Sequence, residues 1–197
     1  MDKISNYSRL FKWFYNPFQF IAGWKAFGIG MVILILTTII GHWGHVVFYA
    51  LEIKTGTGAT FGQALILQLL GLSVTVTILY LTALCFARHT RFQDILGTIT
   101  LAKYPLLPFA FVAVILRDKI ASINATKIIE HQLSPSGYIY LSVFAIISLL
   151  ILIWEITLLY NAFSVSSNLK KTKCAILFTI ALIVSEIVTL LLVSAIY

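Results

Sequence analysis

Five apolar runs, each near the length of a bilayer crossing, dominate this chain, and the middle one is broken. Residues 94–119 read DILGTITLAKYPLLPFAFVAVILRDK. The stretch is apolar enough to enter a bilayer, yet it carries Lys103, Pro105 and Pro108 near its centre. A hydrocarbon core of about 30 Å needs roughly 20 apolar residues per helix. Residues 27–50, 62–87, 137–163 and 174–196 meet that requirement on either side. If the middle stretch crosses, the chain spans five times and its ends lie on opposite faces. If it does not, the count is four.

Composition supports a membrane solvent. Of 197 residues, 60% are hydrophobic and only 11% charged; soluble domains average about 45–50% and 25%. Five spans with short loops use up the length, so the chain reads as one transmembrane domain over 1–197 with no separate catalytic domain. The net charge of +7 sits in short clusters beside apolar runs. That is the positive-inside pattern, so no nucleic-acid partner is expected. Cys85 and Cys174 form neither a disulfide framework nor a metal spacing, and no cofactor is expected.

Residues 1–26 place Ile4, Tyr7, Phe11 and Phe14 at helical spacing, with Ser5, Arg9 and Lys12 on another face. This is a short interfacial amphipathic helix, ended at Asn16-Pro17 because proline disfavours helix at the residue before it. Glycines 28, 30, 41 and 44 in the first span allow close helix packing. His42 and His45, three apart, share a helical face; without a third ligand they read as interfacial histidines. Residues 52–61, EIKTGTGATF, read as a turn between spans. Gln63 and Gln68 in the second span fall to the helix's own carbonyls. In the third span each proline removes a backbone donor, so a kink or unwound turn is expected. Asn124-Ala125-Thr126 matches a glycosylation acceptor by three residues only.

Charge sets the count. With five spans, one side receives Lys3, Arg9, Lys12, Lys25, Arg88, Arg91, Lys103, Lys170, Lys171 and Lys173, and the other Lys54, Arg117, Lys119 and Lys127. Ten against four makes the first side cytoplasmic, with the amino end inside and the carboxyl end outside. Four spans erase that bias.

Glu155 in the fourth span and Glu186 in the fifth need a partner, a proton or a water cavity, because a charge at a helix centre costs several kcal/mol. Lys103 lies about eight residues into the third span and Glu155 about eight before the end of the fourth, so both sit at about 12 Å depth. A Lys103–Glu155 ion pair between these spans follows. Glu186 is closer to the midplane and has no evident cation. The alternatives are that the glutamates hold helices together, line an ion or proton path, or contact a lipid headgroup or partner. No nucleophile set and no H-E-x-x-H motif is present, so no enzyme chemistry and no metal site is expected.

Three further stretches carry a resemblance: NPFQFIAGWKA at residues 16–26, the basic link ARHTRFQD leading into the Tyr104-Pro105 span, and AFSVSSNLKKTKCAILFTIALIVSEIV joining the last two spans. Together they resemble bacterial members of the Yip family, membrane proteins whose eukaryotic relatives interact with Rab GTPases. The resemblance implies five spans, an inside amino terminus and an outside carboxyl terminus. Tyr104 and Pro105 match the family's third-span pattern, with an architectural role. The long cytosolic region and Asp-Leu-Tyr-Gly-Pro type motif of the eukaryotic members are absent, so Rab binding does not carry over.

The expectation is therefore an all-α polytopic membrane protein with five transmembrane helices and an N-terminal interfacial helix, in a bacterial inner membrane. It would act as a scaffold or partner-binding factor toward lipid, membrane-protein partners or its own copies. The competing class is a small transporter or channel using Glu155 and Glu186.

Overall fold

The computed structural model describes residues 14–87, 90–121 and 135–196. Residues 1–13, which hold most of the interfacial helix expected before Asn16-Pro17, together with Arg88 and the Asn124 motif, lie outside the described residues. A 3-10 turn, Pro17–Gln19, follows Asn16, as the proline there requires. Then come α1 (Gly23–Trp43), strands β1 (Val46–Tyr49) and β2 (Glu52–Thr55), α2 (Phe61–Phe86), α3 (Phe92–Leu101), α4 (Leu106–Ala121), α5 (Pro135–Ser167) and α6 (Lys171–Ile196).

Five helical segments are long and apolar enough to cross a bilayer, with α3 and α4 together forming one of them. The fold is thus a predominantly helical, polytopic membrane architecture. Trp24 and Trp43, 63% and 61% exposed, mark the two ends of α1. At 1.5 Å per residue they stand about 28 Å apart, close to a bilayer core.

The first span is shorter than expected. Its helix stops at Trp43, and His45 takes a left-handed φ of 53°. His45 therefore leaves the helix, and the shared His42/His45 face does not form. Residues 46–55, expected to complete the first span and open a loop, instead build an antiparallel hairpin with Tyr49 opposite Glu52. Val-Val-Phe-Tyr is a β-branched and aromatic run that favours a strand. All four residues of β1 are buried.

The hairpin lies among helices rather than outside them. A Cβ on Gly71 of α2 would come within 2.3 Å of the Ala50 amide nitrogen, and one on Gly41 of α1 within 2.7 Å of the Phe48 ring. Phe48 also meets Phe109 of α4 edge-on, with ring centroids 6.1 Å apart. Non-helical backbone at membrane depth must be enclosed by protein or line a water-filled cavity, because lipid offers it no hydrogen bonds. Here helices enclose β1, while β2, with Glu52 and Lys54 exposed, is the outer strand of the hairpin.

The third span breaks as its prolines require, though the two act differently. Residues 102–105 form turns, with i→i−3 bonds from Lys103 to Thr100 and from Tyr104 to Leu101. Pro105 sits in this break. Pro108 falls in the first turn of α4, where the missing N–H would have had no helical partner anyway. It starts a helix rather than kinking one. Glycines let α1 and α3 approach closely: a Cβ on Gly30 would meet the Leu101 nitrogen at 2.7 Å, and one on Gly97 the Gly23 oxygen at 2.1 Å. Helix α6 rests mainly on α2, and α5 on α3 and α4. At 33 residues α5 is about 50 Å long, longer than a bilayer core.

Candidate functional site

The break in the third span frees Lys103 from regular helix and turns it into the bundle. Its Nζ donates to Glu155 Oε1 of α5 at 2.6 Å and to the Ala50 carbonyl at 2.6 Å. The two charged side chains are 5% and 1% exposed, so the expected Lys103–Glu155 pair is present and enclosed. From the ends of their helices Lys103 is about 16 Å deep and Glu155 about 18 Å, which is why they meet.

Glu186 finds its partner in the backbone. Its Oε1 accepts from the Leu51 N–H at 3.1 Å. The Ala50 carbonyl and the Leu51 amide belong to one peptide group at the hairpin tip. A lysine binds that group's oxygen while a glutamate binds its nitrogen. A single hydrogen-bonded chain therefore runs from Glu155 through Lys103 and the 50–51 peptide to Glu186, joining α5, the α3/α4 break, the hairpin and α6. Each bond polarises the next in a low dielectric. Sequence reasoning anticipated the ion pair and left Glu186 without a cation; the missing donor was a peptide that only the hairpin brings to this depth. The tip residue Ala50 has a φ of 48°, where a two-residue hairpin turn usually carries glycine.

A second polar contact lies beside the cluster. Thr38 Oγ1 of α1 is bonded to the Leu34 carbonyl at 2.9 Å and to the buried Gln68 amide of α2. A hydroxyl has one proton to donate. It is shared here between two acceptors, the Leu34 carbonyl and Gln68 Oε1, and Gln68 Nε2 has no hydrogen-bond partner among the described residues. Gln68 also lines a small cavity of about 10 Å³ together with Lys103, Tyr49 and Ala50. Gln68 thus links two helices rather than its own turns, unlike Thr75 and Thr82, which bond their own helix at 2.8 Å each.

Tyr104 has an architectural task. Its hydroxyl donates to the Phe14 carbonyl, to which Trp154 Nε1 also donates at 3.2 Å, and Asn161 Nδ2 donates to the Tyr15 carbonyl at 2.8 Å. The Phe14 ring stacks on Trp154 with centroids 4.2 Å apart. Three side chains from the third and fourth spans therefore bind the carbonyls at the end of the N-terminal segment.

Among the described residues, no three of His, Cys, Asp and Glu gather into a metal-binding group. His42 packs edge-on to Phe61, with ring centroids 6.4 Å apart. The arrangement can bind and orient the hairpin tip by charge. No family model, no curated protein and no solved structure matches the chain.

Proposed function

We propose that this chain is a Yip-type integral membrane scaffold without catalytic chemistry, set in a bacterial inner membrane with its amino end cytoplasmic and its carboxyl end outside. The observation that carries the reading is where the intramembrane charges go. Lys103, Glu155 and Glu186 all bind one another or the 50–51 peptide, so they hold a non-helical hairpin and a broken span in one arrangement. The surface this leaves for other molecules is apolar. On α5, Ile139, Val143, Ile146, Leu150 and Ile153 are exposed at alternating spacings of four and three, which puts them on one helix face. That face suits lipid, a partner's helix or a second copy. The Yip assignment rests on residues 16–26, 87–111 and 162–188, and the orientation on ten cations against four.

A second reading, a small ion- or proton-coupled transporter, draws on one feature. Tyr49 lines both the small cavity beside Lys103 and an open pocket on the far face of the hairpin, so one strand separates that pocket from the charges. Proteoliposome flux of protons and monovalent ions separates the two. The scaffold reading expects no flux above empty liposomes for wild type, Glu155→Gln and Glu186→Gln, with a photo-crosslinker at Ile146 giving a discrete protein adduct in cells. Flux that disappears in either variant overturns it.

A further inference from the structure

The open pocket lies between the outer face of the hairpin, the loop 55–59, the first turns of α2 and the end of α6. Its volume is about 430 Å³, within the usual range for a small-molecule site. The walls are of two kinds. Val47, Leu67 and Val193 form an apolar floor that belongs to one hydrophobic cluster with Tyr49 and Ala64. Lys54, Thr55, Thr57 and Gln63 form a polar rim.

The rim is selective in charge. It carries one cation and no acid. Glu52, on the same strand as Lys54, sits opposite Tyr49 across the hairpin and does not line the pocket. Among the described residues Lys54 makes no ion pair. Gln63 gives its oxygen to the Thr60 amide at 2.8 Å, leaving its NH₂ as a donor. The position fits the chemistry: Val193 lies three residues before the end of α6, at the level where headgroups meet a bilayer core.

We infer that this pocket binds an amphiphile, with Lys54 holding its anionic group at the rim and Val47, Leu67 and Val193 seating its apolar part. A bare inorganic anion leaves the apolar floor uncovered, and an uncharged apolar guest leaves Lys54 without a counter-charge. Two sources share the required chemistry, an anionic phospholipid of the bilayer and a free amphiphilic anion. The inference does not depend on the scaffold reading, since either function admits an occupied pocket.

The test uses the full chain purified from vesicles of phosphatidylcholine with and without phosphatidylglycerol, read by native mass spectrometry. Octyl phosphate added to protein in phosphatidylcholine nanodiscs is the soluble probe. Wild type is compared with Lys54→Ala, the pocket-filling Val193→Trp and the control Lys25→Ala, each first shown to unfold at the wild-type midpoint. Where Val193→Trp fails that check, the smaller pocket-filling Val193→Phe replaces it. Phosphatidylglycerol retained by wild type and by Lys25→Ala, and reduced about tenfold in both pocket variants, assigns a lipid; a charge-assisted contact is worth at least that factor. Octyl phosphate binding with the same pattern, without retained phosphatidylglycerol, assigns a free anionic amphiphile. Equal retention in all variants, or equal retention of phosphatidylcholine and phosphatidylglycerol, overturns the inference.

Discussion

Replacing Glu155 by glutamine keeps its shape and removes its charge. Lys103 then has no counter-ion in contact, only the Ala50 carbonyl at 2.6 Å, in a site where its side chain is 5% exposed. Breaking a buried pair from one side typically costs about 3–5 kcal/mol. The single variant should therefore lose about 3–5 kcal/mol. Changing both residues to methionine removes both charges and keeps the volume. It leaves the Ala50 carbonyl without a partner, a cost of about 1–3 kcal/mol. The double variant should thus be more stable than the single one by about 2 kcal/mol. Reversible unfolding in mixed micelles, titrated with sodium dodecyl sulfate, measures all three proteins. A double variant as unstable as Glu155→Gln, or less stable, refutes the pairing argument.

Other expectations follow from particular contacts. Gly71→Ala and Gly97→Ala drive a methyl into backbone atoms at 2.3 Å and 2.1 Å, so each should cost about 1–3 kcal/mol or more in the same titration. Gly28→Ala meets nothing within 4 Å and should be neutral or stabilising by up to about 1 kcal/mol. Tyr104→Phe removes a donor from the Phe14 carbonyl, which keeps its Trp154 bond; a loss of about 1 kcal/mol is expected, and an unchanged midpoint would discount the clasp. Ala50→Gly relieves a left-handed alanine with φ of 48°, worth about 1–2 kcal/mol less the added freedom of the unfolded chain, so its midpoint should not fall.

Much of this was legible from residue types. Lys103, Pro105 and the two glutamates stand out against apolar surroundings, and equal depth along two antiparallel spans was enough to pair Lys103 with Glu155. The hairpin was not legible, for a physical reason. Val46 to Ala50 is apolar and continuous with the run before it, and a buried strand cannot be told from a buried helix by periodicity. The available signal was the β-branched and aromatic Val-Val-Phe-Tyr followed by the alternation of Glu52, Ile53, Lys54 and Thr55. Missing it hid the donor for Glu186, since Leu51 falls between the expected first span, 27–50, and the expected turn, 52–61. Gln68 was assigned to its own helix for a similar reason: its partner Thr38 lies 30 residues away, and nothing local announces it.

The central claim is that residues 46–55 fold back into the bundle and that charge holds their tip there. Hydrogen–deuterium exchange in bilayer nanodiscs tests it most directly, comparing wild type with Glu186→Leu and Glu186→Gln. The account predicts that the amides of β1, 46–49, exchange far more slowly than those of loop 56–60, that Glu186→Leu speeds the Leu51 amide, and that Glu186→Gln, which keeps an acceptor oxygen, largely preserves its protection. Exchange of 46–49 at the rate of loop 56–60 in wild type, or a Leu51 amide indifferent to Glu186→Leu, would contradict it.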